Sequence, residues 1–343
     1  MVARVTLAEV ARMAGVSVAT ASRALNNGPR LPREDLRRKV LDVAARLDYS
    51  PNAAAQAVAR GETTLLGVVV QDISDPYFSA ILSGAMQAAE DADLITTIAD
   101  TRRDPLREVR YLATLRGQRA RAVVLVGSRS TDRSLTHALQ REVDLFRADG
   151  GRIALVSQPE LDADTVFVEN QAAARALAEA LYALGHREFA VLAGPSTLRT
   201  ATDRLEGFRE GLAAHGITLT PDRMVASEFT RDGGHSATTE LLARGTGARC
   251  VLAVNDVMAV GAMAALRAAG LVLPRDMAVA GFDDIATLRD VVPALTTVHV
   301  PLETLGSEAV RLVTDEWTGT EPRAVRVTGT VVIRESTPRV DAG

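Results

Sequence analysis

A helical spacing of apolar residues marks the first segment of the chain, residues 6–26, TLAEVARMAGVSVATASRALN. Apolar positions recur at i, i+3, i+4 and i+7 in its first half, and Thr6 and Glu9 match a capping box at its start. Gly15 can end this helix in the left-handed conformation, and Ser17 can cap a second helix. The pattern therefore predicts two short helices joined by a tight turn.

The second predicted helix has an apolar inward side, formed by Ala21, Ala24 and Leu25. Two helices with a glycine turn and a small, polar outer face are typical of a helix-turn-helix that reads DNA in the major groove. The same pattern also fits an amphipathic helical hairpin with no nucleic-acid role. The outward positions are Val18, Ala19, Thr20, Ser22 and Arg23.

A third apolar face, over residues 33–47, predicts the helix that completes a three-helix domain. Tyr49 and Pro51 end this pattern, and an Ala-rich octet follows at 53–60, with Gly61 after it. Helices shorter than about 12 residues are marginal in water, so the octet is expected to be ordered only when another surface holds it. A plain linker fits its composition equally well.

Short, continuous apolar runs alternate with amphipathic stretches from Leu65 onward. This alternation predicts parallel sheets that are covered by helices on both faces. About ten such strands exceed one average sheet, so we expect two doubly wound lobes, with a C-terminal tail that can cross back to the first. The predicted strands lie at 65–70, 94–99, 122–127, 153–157, 166–170, 189–194, 224–229, 250–256, 277–284, 295–300 and 325–336, and predicted helices at 77–91, 105–116, 171–184, 202–214, 256–269 and 301–317.

Polar and aromatic side chains follow the carboxyl ends of these strands, where open α/β sheets bind ligands. Such a mixture suits a neutral sugar or polyol, because hydroxyls need donors and acceptors and aromatic rings pack on C–H surfaces. Taken singly, Asn255 fits a helix cap and Asp283 fits a turn; their shared position at the strand ends predicts the site. The strand-end residues are Gln71, Asp72, Tyr77, Phe78, Ser128, Ser157, Thr200, Arg204, Phe229, Asn255, Asp256, Asp283 and Asp284.

Charge is divided unevenly along the 343-residue chain. Residues 1–60 carry ten Lys/Arg and five Asp/Glu, a net +5. The remainder carries the other 29 of the 39 Lys/Arg and the other 38 of the 43 Asp/Glu, a net −9. A basic N-terminal segment on an acidic body favours an anionic partner for that segment alone.

The remaining composition predicts a cytoplasmic protein without catalytic machinery. Cys250 is the only cysteine, and the chain shows neither a signal-peptide pattern nor an apolar run of the roughly 20 residues that span a bilayer. Phosphate-binding loops, dinucleotide-binding loops, nucleophile elbows and zinc-protease motifs are missing, and the five histidines lack metal-ligand spacing. We therefore expect no enzyme, no cofactor and no bound metal.

Several motifs together resemble the lactose-repressor (LacI/GalR) family of bacterial transcription regulators, along almost the full length of the chain. The most specific is the N-terminal T-L-A-E-V-A-x-x-A-G-V-S-x-x-T-x-S-R-x-L-N at 6–26. The others are Y-x-P-N-x-x-A (49–55), D-P-Y-F (75–78), A-L-G-H-R (183–187), L-A-G-P (192–195), R-L-E-G-F (204–208), N-D-x-M-A-x-G (255–261), G-F-D-D (281–284) and P-A-L-T-T-V (293–298).

The resemblance implies a homodimer on a double-stranded, pseudo-palindromic operator. Each subunit would place its helix-turn-helix in a major groove, paired hinge helices would open the minor groove, and a small-molecule effector would lie between two periplasmic-binding-protein-like lobes; no membrane partner is implied. The implied domains are a helix-turn-helix domain at 1–50, a hinge helix at 51–62, an N-terminal lobe at 63–163 and 294–324, and a C-terminal lobe at 164–293 and 325–338.

The resemblance also assigns contact positions. Those expected to contact DNA are Thr6, Ser17, Val18, Ala19, Thr20, Ser22, Arg23, Asn26 and Tyr49, with Asn52, Ala55 and Val58 in the hinge. Those expected to contact the effector are Tyr77, Phe78, Thr200, Arg204, Phe229, Asn255 and Asp283, to which the strand ends add Ser128 and Ser157.

Three departures from the family pattern change the expectations. Val58 replaces the leucine that family members usually wedge between the central base pairs, and valine is shorter and stiffer. Val18 and Ala19 cannot hydrogen-bond to bases, so we expect Arg23, with Thr20 and Ser22, to carry most direct readout. Ser157 occupies a position where relatives often carry an acidic acceptor.

The sequence therefore predicts a ligand-responsive transcription regulator, a repressor of sugar or polyol catabolic genes. The alternatives are a regulator that responds to a nucleoside, a purine or another metabolite, and a sugar-modifying enzyme with a fused DNA-binding head. The family includes regulators that ligand releases from DNA and regulators whose DNA binding it strengthens, so the resemblance implies neither direction.

Overall fold

The computed structural model describes residues 5–25, 31–49 and 63–340, and it divides into a unit up to Thr63 and a larger unit from Thr64. Each unit is described by itself. The expected DNA contacts Asn26, Asn52, Ala55 and Val58, and the predicted hinge helix, lie outside the described residues.

The N-terminal unit contains the three predicted helices: α1 Leu7–Ala14, α2 Val18–Leu25 and α3 Glu34–Arg46. The capping box is formed, because the Thr6 hydroxyl accepts from the Glu9 N–H at 3.3 Å and the Glu9 carboxylate accepts from the Thr6 N–H at 2.8 Å. Gly15 ends α1 with a φ of 66°, in the left-handed region. The buried core consists of Val10, Ala11, Ala14, Ala21, Ala24, Val40, Val43 and Ala44.

The larger unit mostly alternates strands and helices. Their bounds in chain order are β1 Leu65–Val70, α4 Pro76–Asp91, β2 Ile95–Asp100, α5 Pro105–Gly117, β3 Ala122–Val126, α6 Arg133–Ala148, β4 Arg152–Val156, β5 Asp164–Val168, α7 Asn170–Ala183, β6 Phe189–Ala193, α8 Arg199–Ala213, β7 Met224–Ala226, α9 Arg231–Arg244, β8 Cys250–Ala253, α10 Asp256–Ala268, β9 Ala278–Ala280, β10 Thr297–His299, α11 Leu302–Thr314, β11 Ala324–Val327 and β12 Thr330–Val332.

Two parallel sheets organise this unit into two lobes. The first lobe is built on a six-stranded sheet in the order β11-β5-β4-β3-β1-β2, and the second on a four-stranded sheet in the order β7-β6-β8-β9. Every pairing within either sheet is parallel, as the continuous apolar runs predict. The doubly wound α/β class is therefore confirmed.

The chain passes between the lobes at three places, and these differ from the expected domain borders. Asp164–Val168 and Ala324–Val327 were expected in or at the edge of the second lobe, but β5 pairs with β4 and β11 pairs with β5 in the first sheet. Thr297–His299, expected in the first lobe, pairs instead with Thr330–Val332. Thr296 and His299 also form bridges to Ala280 and Asp283, at and after the end of a second-sheet strand. The borders were wrong because apolar patterning identifies a strand but not the sheet it joins.

Helices α4 and α11 cross at very close range in the first lobe. A side chain at Gly84 would collide with the backbone of Glu303, and one at Gly306 would collide with the backbone of Ile81. The two glycines therefore let the C-terminal helix pack directly on the helix that follows β1. Among the helices of the described residues, none has the length and apolar character needed to cross a membrane.

Candidate functional site

The outer face of α2 carries the predicted DNA-reading positions. Ser17, Val18, Ala19 and Arg23 are exposed, and Thr20 and Ser22 are half-buried. Ser17 Oγ accepts from the Thr20 N–H at 3.1 Å and caps the helix, as predicted. The outer face therefore keeps its small side chains accessible.

Arg23 lies along its own helix, because its Nε donates to the Ala19 carbonyl oxygen at 3.1 Å. This bond leaves the terminal guanidinium nitrogens as the donors that can address a base edge. Thr6 is exposed but its hydroxyl is used in the capping box, and Tyr49 is half-buried after α3. Among the predicted reading positions that the structure describes, Arg23 thus supplies the charged donor and the others are small contact residues.

One cleft in the larger unit gathers the predicted effector residues, and it encloses about 580 Å³ of space including its open mouth. Both lobes contribute to it from the carboxyl ends of their parallel strands, the position that the fold favours for a ligand. Its lining includes all nine expected positions: Tyr77, Phe78, Ser128, Ser157, Thr200, Arg204, Phe229, Asn255 and Asp283.

Arg204 is the central polar group on the second-lobe side of the cleft. It is only 1% exposed, and its Nε donates to Asn170 Oδ1 at 2.8 Å. Nη1 donates to the Val254 carbonyl oxygen at 2.7 Å, and Nη2 donates to Asp283 Oδ1 at 2.7 Å. The guanidinium also lies 3.8 Å from the centre of the Phe282 ring. These contacts fix the guanidinium and leave two of its five N–H groups for a ligand.

Asp283 is held in an unusual backbone conformation with a φ of 114°. Burial raises the pKa of its carboxyl to about 6, although the Arg204 guanidinium favours the ionised form. Burial and the nearby Asp283 also raise the pKa of Asp256, whose carboxylate accepts from Thr297 Oγ1 at 2.7 Å and from the Ile285 N–H at 3.0 Å. Two buried carboxyl groups therefore share the floor of the second lobe, and only Asp283 lines the cleft.

Asn255 and Ser157 show how local structure sets the donors in the cleft. Asn255 caps α10, because its Oδ1 accepts from the Met258 N–H at 2.9 Å, so its amide nitrogen is left for the cleft. Ser157 Oγ accepts from Arg129 Nε at 2.7 Å. Arg129 is 3% exposed and makes two hydrogen bonds to the Glu108 carboxylate, at 3.1 and 2.7 Å.

The sequence missed several lining residues. Asp75 accepts from the Tyr77 N–H at 3.0 Å and from Arg103 Nη2 at 3.0 Å, and burial raises the pKa of its carboxyl. Its place before Pro76 is a helix-cap signal that could have found it, but no local signal indicates its partner Arg103, 28 residues away. The other lining residues without a sequence-based assignment are Gly127, Val156, Gln158, Val166, Val168, Asn170 and Leu198.

The two lobes are hydrogen-bonded to each other at one edge of the cleft. The Thr200 N–H donates to Ser128 Oγ at 3.0 Å, and Gln158 Nε2 donates to Thr200 Oγ1 at 2.8 Å. Beside them, the Arg199 N–H donates to the Arg129 carbonyl oxygen at 3.0 Å. Ser128 and Thr200 therefore join the lobes as well as lining the cleft.

A helix-turn-helix unit joined to a two-lobed α/β unit with an interlobe cleft defines a class of protein, the ligand-responsive transcriptional regulators that bind DNA. Comparison with known proteins agrees with this class and refines it. Residues 6–52 match the model of the bacterial regulatory proteins of the lacI family, and residues 178–337 match a periplasmic binding protein-like domain.

The HTH-type transcriptional regulator GalR of Escherichia coli is 33% identical over 307 residues, covering 90% of this chain and 88% of GalR. The regulator CelR of Thermobifida fusca is 32% identical, covering 97% of this chain and 98% of CelR. The chain therefore belongs to the lacI family of bacterial regulatory proteins. A solved structure of a CelR–cellobiose complex covers 97% of this chain and 100% of its own, with 29% identity and a TM-score of 0.71.

Proposed function

We propose that this regulator binds a pseudo-palindromic operator as a homodimer and represses sugar or polyol catabolic genes, with a small-molecule effector in the interlobe cleft. The observation that carries the proposal is the convergence of all nine expected effector positions on one cleft. They come from seven separate segments of the chain and meet only through the fold of the two sheets.

The chemistry of the cleft supports a sugar. Arg204, Asp283 and Asn255 supply fixed donors and acceptors, while Tyr77 and Phe229 supply aromatic surface. Such a combination suits a ligand with polar edges and C–H faces. The CelR structure, similar in fold and sequence, is a complex with cellobiose, which supports the same ligand class here.

The N-terminal unit supports DNA binding by its exposed face and its charge. The excess of five positive charges in residues 1–60 can neutralise phosphates, which gives salt-dependent affinity without sequence preference. The exposed Arg23 can then select a base, with discrimination of about 1–3 kcal/mol for a bidentate contact to guanine. A DNA partner also supports a cytoplasmic location.

An apolar surface on the first lobe supports the dimer. Strand β2 is an edge of its sheet, and Ile95 and Ile98 on it are 65% and 38% exposed. Ile73 and Met86, from the neighbouring loop and helix of the same lobe, are each 45% exposed. An exposed apolar edge strand is a surface that proteins normally cover.

We propose that the effector acts by changing how the lobes close. A ligand held by both lobes would shift the first lobes of the dimer relative to each other, and this shift would change the affinity of the dimer for its operator. Moving a two-state population from 1:99 to 99:1 takes about 5.5 kcal/mol of differential binding, which the two clefts of a dimer can share.

Two measurements test the proposal. Selection from randomised duplex DNA, followed by gel shift with the full chain, is expected to give a pseudo-palindromic site; failure to enrich any sequence would refute the regulator mechanism. A thermal-shift screen of sugars, polyols and nucleosides identifies the effector, with about 2.7 kcal/mol of stabilisation expected at a hundredfold excess over Kd. Stabilisation by nucleosides alone would replace the sugar assignment.

A matched pair of variants assigns the ligand to the cleft. Asp283→Asn is expected to remove the ligand-induced stabilisation, because it changes the carboxylate paired with Arg204. Asp290→Asn, an exposed position a few residues later, is expected to keep it. Adding the identified ligand to the gel shift then shows whether it releases the operator or strengthens its binding.

A further inference from the structure

Two short segments, one from each lobe, lie side by side at the edge of the cleft. Residues 128–131 follow β3 of the first lobe, and residues 197–200 follow β6 of the second lobe. Ser130 and Leu198 face each other in an antiparallel β-bridge. The lobes are therefore joined by paired backbone as well as by side chains.

Both backbone hydrogen bonds that belong to this bridge are formed. The Thr131 N–H donates to the Thr197 carbonyl oxygen at 3.0 Å, and the Arg199 N–H donates to the Arg129 carbonyl oxygen at 3.0 Å. This is the bond pattern around a non-hydrogen-bonded pair in an antiparallel ladder. Each bond joins two main-chain groups, so both depend on the positions of the two backbones.

Side chains add further contacts between the same two segments and their neighbours. Thr131 Oγ1 donates to the Ser196 carbonyl oxygen at 3.3 Å. Arg199 Nε lies 2.7 Å from Glu160 Oε1, an ion pair between the lobes that is not aligned as a hydrogen bond. The bonds of Thr200 described above lie beside them. Every donor and acceptor belongs to the chain, so the pairing requires no atom of a ligand.

The paired segments lie away from the places where the chain crosses between the lobes. Two crossings follow β5 and β11, whereas residues 128–131 follow β3, which is two strands from β5. In the second lobe the crossing chain runs beside β9, and residues 197–200 follow β6, which is two strands from β9. Two strand spacings amount to about 10 Å. An opening rotation about the crossings therefore pulls the paired segments apart.

We infer that residues 129–131 and 197–199 form a latch, a backbone pairing that holds the lobes closed whether or not the effector is bound. The link from the latch to DNA rests on the proposed function, in which the effector acts through lobe closure. The apparent affinity of a ligand scales with the fraction of the protein that is in the binding-competent conformation. The latch therefore sets the operator affinity without effector and the size of the response to it.

Arg199 allows a substitution that removes one backbone bond of the latch. It is the first residue of α8, a position that accepts proline, and Leu198 before it is already extended, with φ −109° and ψ 123°. Proline has no N–H to donate to the Arg129 carbonyl oxygen, and its ring occupies the space of that bond. Arg199→Ala is the matched control, because it loses the ion pair with Glu160 but keeps the backbone bond.

A cross-link detects the latch on the full chain without any effector. The Cα atoms of a non-hydrogen-bonded antiparallel pair lie about 4.5 Å apart, within the range of a disulfide. Ser130→Cys with Leu198→Cys is expected to cross-link in oxidised glutathione at least tenfold faster than His137→Cys with Leu198→Cys. His137 is exposed on α6 and lies outside the latch, and the native Cys250 is buried.

The two variants of Arg199 are then compared in the cysteine pair. Arg199→Pro is expected to slow the cross-link at least fivefold, and Arg199→Ala is expected to leave its rate unchanged. A rate no faster than that of the control pair, or one that Arg199→Pro does not slow, would overturn the latch. Circular dichroism verifies the folding of Arg199→Pro; if it does not fold, the two cysteine pairs decide the question alone.

Gel shifts on the selected operator test the link to DNA. The oxidised cysteine pair and Arg199→Pro are expected to change operator affinity in opposite directions, each by at least threefold, and reduction of the disulfide is expected to restore the original value. If the cross-link forms but neither change alters operator binding, the latch stands and the proposed link between lobe closure and the operator fails. The cross-linking rates need no operator, so they decide the latch whatever the DNA measurement gives.

Discussion

Ser128 and Thr200 face each other across the cleft, and the Thr200 N–H donates to Ser128 Oγ at 3.0 Å. Both were expected to contact an effector, and the structure shows that they also contact each other. Because the same residues join the lobes and line the cleft, a ligand that contacts them also changes the equilibrium between open and closed lobes.

The bonds between the lobes predict an effect on closure. Gln158→Ala removes the bond to Thr200 Oγ1, and it is expected to shift the lobes towards an open arrangement and to increase the radius of gyration measured by small-angle X-ray scattering. Ser134→Ala, an exposed hydroxyl on α6, is the control. Identical scattering curves for the two variants would show that this bond does not govern closure.

The buried Arg204 predicts a large loss of stability on truncation. Arg204→Ala leaves the Asp283 carboxylate and the Asn170 and Val254 acceptors without their donor, and it is expected to cost about 3–5 kcal/mol in urea unfolding. Arg209→Ala, exposed on the same helix, should cost less than about 0.5 kcal/mol. A similar loss in both variants would contradict the role given to the buried network.

The raised pKa of Asp283 predicts a pH-dependent stability. Its value of about 6 in the folded protein lies above the ordinary 3.8, so the folded state binds the proton more tightly than the unfolded state does. The stability that the protonated Asp283 carboxyl contributes is fully present below pH 3.8 and is lost as the pH rises through 6. Urea unfolding of the wild type and of Asp283→Asn is compared between pH 4 and 7. The free energy of unfolding of the wild type, relative to that of the variant, is expected to fall by about 1–3 kcal/mol over this range. A difference that stays constant with pH would contradict the prediction.

The exposed Arg23 predicts a loss of sequence selectivity. Arg23→Ala is expected to weaken binding to the selected operator by about 1–3 kcal/mol and to change binding to random DNA far less. Arg23→Lys keeps the charge but loses the bidentate geometry, so it should behave like the alanine variant on the operator. Equal losses on operator and random DNA would assign Arg23 to the phosphate backbone instead.

Because α4 and α11 cross closely, we expect replacement of a glycine at the crossing to destabilise the protein, and replacement of a glycine elsewhere not to. Gly84→Ala places a methyl group against the Glu303 backbone and is expected to cost about 1–3 kcal/mol. Gly117→Ala, at the end of α5 with no neighbouring atom near the added methyl, should be neutral or stabilising by up to about 1 kcal/mol. Thermal unfolding of the two variants compares them directly.

Local patterns in the sequence predicted most of the fold. The Thr6–Glu9 capping box and the apolar runs of β1, β3 and β6 depend on neighbouring residues, and each appears in the structure at nearly its expected bounds. Helix α9 was not predicted, because Gly233 and Gly234 replace the apolar stripe where the helix approaches the backbones of Glu228 and Met258.

The sequence predicted many of the residues that line the cleft but not which side chains pair with each other there. Ser128, Ser157 and Asp283 were assigned to one site because each follows the end of a predicted strand. In the structure all three line the cleft. The pairing of Arg129 with Glu108, and of Arg103 with Asp75, joins residues 21 and 28 positions apart through the packing of different elements. No local spacing encodes such partners, so the donor–acceptor balance of the site follows only from the folded structure.

The sheet of the first lobe depends on a late part of the chain. Its final strand β11 and its helix α11 come from residues 302–327, whereas the four strands of the second sheet are all present by Ala280. A nascent chain that stops short of residue 320 therefore has every strand of the later sheet but leaves β5 as an unpaired edge in the earlier one. We expect such truncated chains to aggregate through that edge, so early stop codons near the C-terminus should remove the regulator as effectively as those near the start.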